Sequence, residues 1–360
     1  MKTSFRAFHT VRVLVVDDSA FARRTLTNIL DRDPRINVIG TAWDGQEAIE
    51  KIATLSPDVV TMDINMPHMN GLEALKIIMR DMPTPVIIVT WLKQNIIEKT
   101  LEALEYGAVD CILKPTELAS DKLFQIKSDL VNKVVAVAGL DGPMLQNAIQ
   151  QPRLSSPMLR RTAIRPKASP AKIDCIAIGV STGGPTALYH IIPTLPKDFP
   201  CGIIIVQHMP PGFTKSLAER MNKNSAITVK EAESGDRVQA GLALIAPGGY
   251  HLFLEQTAQG HVVAQVRAEP SHYIHIPSID LTFCDVAEIY RQRCVGIILT
   301  GMGKDGVKGL EQIKKYGGCS IAEDKSSCVV FGMPEVAIRR GLVDNVASVH
   351  EIAGILMKMI

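Results

Sequence analysis

A serine hydroxyl is a weak nucleophile until a base takes its proton, and the base needs a third group to orient it. Three residues of this 360-residue chain could form such a set. Ser181 lies in AIGVSTGGPTAL (177–188), His208 in GIIIVQHMPPGFT (202–214) and Asp305 in VGIILTGMGKDGVKGL (295–310). Each follows an apolar run that reads as a strand. If those strands share one parallel sheet, all three side chains reach the same edge. His208 would then accept the Ser181 proton and return it to the leaving group, while Asp305 would hold the imidazole tautomer and stabilise its cation. The Gly301-Met302-Gly303 and Gly183-Gly184 turns offer backbone N–H groups for an oxyanion, with Met302 as the candidate donor. The Ser181 turn also has a second reading, because a Gly-rich strand-to-helix turn can aim N–H groups at an anion. It lacks GxGxxG, GxxxxGK[ST] and a lysine, which excludes Walker-type chemistry and leaves only a weaker anion site. The chain order Ser…His…Asp differs from the Ser…Asp/Glu…His of α/β-hydrolases. Taken singly, each residue has a plain role: Ser181 as a cap for a helix at 184–192, His208 as a loop histidine, Asp305 as an Asx turn or cap before VKGLEQIKKY.

A second set lies nearer the N-terminus. Asp17 and Asp18 end a first apolar run, Asp63 stands near the end of a third, Thr90 ends a fourth and Lys114 a fifth. At one edge of a parallel sheet these carboxylates would repel one another unless a cation intervenes. Mg²⁺ suits one or two carboxylates plus a phosphate. A carboxylate beside such a cation can attack a phosphoryl group, since that step needs positioning and charge neutralisation above all. Asp63, at the start of the Asn65-Met66-Pro67 loop, is the candidate nucleophile. Asp17, Asp18 and Asp63 are the candidate metal ligands. Lys114 would pair with phosphoryl oxygens and Thr90 would hydrogen-bond one of them.

The elements that must position these groups follow from periodicity. Strands are expected at 11–18, 37–43, 58–64, 85–90 and 111–114, with helices at 19–30, 44–53, 70–80, 95–106 and 121–138 between and after them. That alternation implies a parallel sheet covered on both faces. Residues 139–171 are rich in Pro, Ser, Gln and Arg and read as a linker. IDCIAIGV then opens a second α/β region with strands at 202–207 and 295–300, another near 318–322, and a hairpin around 242–266 that would make its sheet mixed.

Bulk properties limit the alternatives. A formal net charge of +2 gives no support for nucleic-acid binding. No apolar run reaches the length of a membrane span, so no membrane insertion is expected. Residues 1–10 do not read as a secretory signal. The seven cysteines show no CxxC pair, and Cys111, Cys175, Cys201 and Cys294 read as buried thiols in a reducing cytoplasm.

VVDDS (15–19), DINMP (63–67), Thr90 and the Lys114-Pro115 pair resemble a two-component receiver domain over residues 11–138. The resemblance implies a flavodoxin-like (βα)₅ fold that takes a phosphoryl group from a histidine kinase onto Asp63. Two positions depart from the family pattern: Cys111, where an aromatic switch residue is usual, and Trp91, where a small residue is common. IGVSTGGP, QHMPPGFT, APGGYH (246–251), PSID (277–280), LTGMGKDG and VVFGMP (329–334) resemble, over 172–356, the catalytic domain of the chemotaxis protein-glutamate methylesterases. That resemblance implies a doubly wound, mostly parallel α/β domain. Its implied activity is hydrolysis of glutamate γ-methyl esters on the cytoplasmic helices of chemoreceptors, often with deamidation of glutamines. It also carries the family's triad onto Ser181, His208 and Asp305, with Thr182 as a hydrogen-bonding neighbour and no cofactor in the esterase site. Ile276 departs from the family pattern, which has Arg before PSxD. The competing reading is a receiver-controlled adaptor that binds without turnover.

Overall fold

The computed structural model describes residues 10–91, 93–114, 120–140 and 172–360. The chain divides into two compact units, Met1–Ile149 and Gln150–Ile360. Most of the expected linker, 141–171, lies outside the described residues, as does Pro115. Among the described residues no helix is long and apolar enough to cross a membrane.

In the first unit, β1 (Val11–Val16), β2 (Ile36–Ala42), β3 (Val59–Met62), β4 (Val86–Thr90) and β5 (Asp110–Leu113) form a sheet in the order β2-β1-β3-β4-β5. Every pairing is parallel. The central runs are β-branched and buried along their length in β3 and β4, as strands covered on both faces must be. Helices follow each strand, and their starts are set by short polar side chains. Ser19 accepts from Ala22 N–H before the helix Ala20–Leu30, and Asp44 accepts from Glu47 N–H before Gly45–Leu55. Asn70 and Glu73 form a reciprocal capping box at Gly71–Asp81. These are the expected elements, with ends shifted by one or two residues.

The second unit carries seven parallel strands: β6 (Cys175–Val180), β7 (Gly202–Gln207), β8 (Thr228–Glu231), β9 (Leu242–Ile245), β12 (Cys294–Ile298), β13 (Cys319–Glu323) and β14 (Asn345–Ala347). Their order is β14-β13-β12-β6-β7-β9-β8. The reversal on either side of β6 makes a topological switch point, where the β6 and β7 carboxyl ends and the β12 end adjoin. β6, β7 and β12 are buried at every residue, which fits a sequence that is apolar except for Gln207 at the end of β7.

The expected mixed sheet is not found. β10 (His251–Gln256) and β11 (Val262–Arg267) pair antiparallel in a two-stranded sheet of their own. Leu242–Ile245 belongs instead to the parallel sheet, beside β7 and β8. An apolar run shows that a segment is buried and extended, but not which sheet buries it. Strands β8 and β14 carry too few apolar residues to be read from periodicity.

All seven cysteines are free, and Cys111, Cys175, Cys201 and Cys294 are buried. Burial pushes the Cys111 and Cys294 thiols up to about 12, so neither is an available thiolate.

Candidate active site and candidate phosphorylation site

Ser181 is the first residue beyond β6. Its N–H donates to Thr300 O at 3.0 Å, and its own carbonyl accepts from Gly184 N–H at 2.8 Å and from Gln207 Nε2 at 3.0 Å. The tight turn needs Gly183 at φ +78°, a conformation side-chain-bearing residues rarely take. Gly183, not Ser181, is the N-cap of the helix Gly184–Ile191, and no side chain caps that helix. Ser181 is buried, although its hydroxyl is not spent as a cap.

His208 follows β7, the neighbour of β6, and its N–H donates to Val180 O at 3.1 Å. Its Nε2 lies 2.9 Å from Asp305 Oδ2. Its Nδ1 is buried and, among the described residues, has no hydrogen-bond partner. An imidazole donating through Nε2 keeps a lone pair on Nδ1, which is the state a general base requires. Among the described residues no hydrogen bond joins Ser181 Oγ to the ring. Such contacts commonly tighten only when substrate is bound. The ring of His275 stacks on His208 with centroids 4.1 Å apart and planes 14° off parallel.

Asp305 does not act chiefly as a cap for the helix that follows it. Its carboxylate sits at the start of the helix Ile279–Tyr290. There it accepts from Ile279 N–H at 2.8 Å, Asp280 N–H at 3.0 Å and Ser278 Oγ at 3.1 Å, besides Gly306 N–H at 3.0 Å. Burial opposes its charge. The hydrogen bond and charge of His208 and these backbone donors outweigh burial and hold the carboxyl well below the usual carboxylate range. Asp280 returns the arrangement by accepting from Gly309 N–H at 2.9 Å in the helix Val307–Lys315. The two helices thus exchange carboxylate caps.

The turn after β12 closes the site. A Cβ on Gly301 would fall 2.6 Å from Ser181 Cβ, so the two segments touch where only glycine fits. Gly301 N–H donates to Val330 O, whereas the Met302 N–H donates to no protein group among the described residues. Thr182 is buried, and its carbonyl accepts from Thr300 Oγ1 at 2.9 Å. Gln207, Ser278, Thr300 and His275 all touch this constellation. None of the four carries a local signal in the sequence, since each acts through contacts with residues far along the chain.

In the first unit the strand-end residues also converge. Lys114 Nζ lies 2.5 Å from Asp63 Oδ2 and 2.6 Å from Asp17 Oδ2, and all three side chains are buried. Asp63 Oδ1 accepts from Ile64 N–H at 2.7 Å. Burial pushes the Asp17 carboxyl up, opposed by Lys114 and reinforced by the charge of Asp63. Asp18 is exposed, yet carboxylate oxygens of Asp17, Asp18 and Asp63 lie within 4.8 Å of one another. Thr90 Oγ1 is buried with no partner among the described residues. Three hard oxygen donors, one cation and an unpartnered hydroxyl fit a Mg²⁺ ion with a phosphoryl group. Trp91 lies over Lys114 at 5.6 Å from ring centroid to Nζ, and Cys111 is buried in β5 with no ring to swing.

Comparison with known proteins agrees with both units. The model of the CheB methylesterase family matches residues 176–356, and that of the response regulator receiver domain matches residues 13–126. A protein-glutamate methylesterase/protein-glutamine glutaminase of Symbiobacterium thermophilum is 45% identical over 99% of both chains. One from Thermotoga maritima is 46% identical over 97% of this chain and 98% of its own. The crystal structure of the Thermotoga maritima CheB methylesterase catalytic domain superposes with a TM-score of 0.51 at 47% identity, covering 53% of this chain and all of that one. With a receiver ahead of a second unit whose strand ends gather Ser181, His208 and Asp305, the chain belongs to the CheB methylesterase family.

Proposed function

We propose that the chain hydrolyses glutamate γ-methyl esters on chemoreceptors, and deamidates receptor glutamines, under the control of phosphorylation at Asp63. The observation that carries the hydrolytic reading is the 2.9 Å contact of His208 Nε2 with Asp305, which leaves Nδ1 buried and unpartnered among the described residues, at a strand end next to that of Ser181. Nδ1 takes the Ser181 proton as Oγ attacks the ester carbonyl. The resulting imidazolium is stabilised by Asp305, whose charge the helix Ile279–Tyr290 also holds. The Met302 N–H, with Thr182 as its neighbour, receives the developing oxyanion. His208 then protonates the departing methoxide, giving methanol and an acyl-enzyme, which water attacks in a second round of the same proton transfers. Glutamine would enter by the same route with ammonia leaving. No step in the esterase site calls for a cofactor.

In the receiver, Asp63 takes the phosphoryl group of a histidine kinase, and Lys114 and Thr90 bind the transferred oxygens. Asp17, Asp18 and Asp63 would hold Mg²⁺, which offsets charge on the phosphoryl group. The domains are assigned as receiver 11–138, linker 139–171 and esterase 172–356, acting in the cytoplasm. The test is covalent trapping. A fluorophosphonate should label Ser181 in the intact chain, with labelling slowed at least tenfold in His208→Ala. A label found on another residue would remove Ser181 as the nucleophile.

A further inference from the structure

One buried acid in the second unit has no place in this mechanism. Glu323 is the last residue of β13, at the same sheet edge as Ser181 and His208, and is 0% exposed. Among the described residues no cation pairs with it. An unpaired carboxylate in the interior is costly unless its hydrogen bonds are made. Burial pushes it up to about 7, against hydrogen bonds from Thr300, Ser327 and Cys328, and the charge of Asp324 adds to the rise.

Both Glu323 oxygens are occupied. Oε2 accepts from Thr300 N–H at 2.7 Å, and Oε1 accepts from Ser327 Oγ at 2.9 Å. Thr300 is in turn committed at every polar atom. Its hydroxyl donates to Thr182 O at 2.9 Å and accepts from Val330 N–H at 2.9 Å. Its carbonyl accepts the Ser181 N–H at 3.0 Å. Thr300 is also the residue just before Gly301-Met302. One residue therefore ties the nucleophile turn to the turn bearing the candidate oxyanion donor, and Glu323 holds that residue.

We infer that Glu323 is a positioning residue that, through Thr300, fixes the spacing between Ser181 and the Met302 N–H. The inference rests on the esterase reading given above. Oxyanion donors act only when placed within a few tenths of an ångström of the charge that develops. A loosened Thr300 should therefore lower kcat. KM should hold, because Glu323 is buried away from any substrate.

The experiment measures methanol release from methylated receptor by the full-length chain and four variants, with thermal unfolding of each. Glu323→Ala should lower kcat by about 10- to 100-fold with KM within about twofold. Glu323→Gln should stay within about threefold of wild type, because its amide oxygen still accepts from Thr300 N–H while the Ser327 hydroxyl turns to accept from the amide. Glu323→Asp, whose carboxylate falls one methylene short of Thr300 N–H, should fall with Glu323→Ala. Unchanged kcat in Glu323→Ala, or a loss confined to KM, overturns the inference. So does Glu323→Gln as damaged as Glu323→Ala. If Glu323→Ala does not fold, unchanged kcat in Glu323→Asp is the overturning result. Ser181→Ala separates the two levels: activity equal to wild type there defeats the esterase reading itself, and the inference falls with it.

Discussion

Asp305 accepts from the backbone of the helix Ile279–Tyr290 as well as contacting His208, so its carboxylate is anchored independently of the ring. Asp305→Asn would present a neutral side chain to three helix-end donors and an imidazolium. Methanol release should drop by about 10³–10⁴-fold, the scale seen when a triad carboxylate becomes an amide. A drop below tenfold would mean that His208 is oriented by another group. Glu323 makes a second prediction, about stability. Its carboxyl is raised in the folded state, so the fold binds its proton more tightly than the unfolded chain does. Its contribution is fully present below about 4.5 and is lost as pH rises through about 7. Denaturant unfolding should show Glu323→Gln losing less stability than wild type between pH 5 and pH 8, by up to about 3 kcal/mol. Equal pH slopes would contradict this. Ser181, His208 and Asp305 stand out in the sequence as candidates because each follows a strong strand within a short glycine-bearing motif. Glu323 and Thr300 do not, because their roles are hydrogen bonds across 23 and 118 residues that only strand register brings together.

At the scale of elements, the site depends on two turns meeting at carboxyl ends of a parallel sheet. Gly301→Ala should push the Ser181 turn away, since its Cβ would lie 2.6 Å from Ser181 Cβ. The expected result is a kcat at least tenfold lower with KM little changed, and normal activity would show that the turns can separate freely. The parallel sheets were legible from alternating strands and helices, down to one or two residues in the first unit. The second unit was less so. Leu242–Ile245 looked like half of a hairpin because it is followed by β10 and β11, while its partners in space are β7 and β8. The caps on Ile279–Tyr290 were equally hidden. Asp305 precedes a different helix, so its local sequence points to that one.

The whole molecule joins a receiver unit to a methylesterase-family unit in one chain. A small phosphodonor such as acetyl phosphate with Mg²⁺ should raise the rate of methanol release. Asp63→Asn should abolish that response, and chelation with EDTA should remove it in wild type. A response that survives Asp63→Asn would place the control elsewhere. The sequence revealed this architecture because each half carries its own motifs, but receptor choice is set by surfaces that no short motif describes. The role of Ser181 and His208 in hydrolysis is tested by methanol release from a methylated receptor by wild type, Ser181→Ala and His208→Ala at equal concentration. Turnover is expected from wild type, with a loss of at least a thousandfold in both variants. Wild-type rates in Ser181→Ala, with the receptor still bound, would contradict that role.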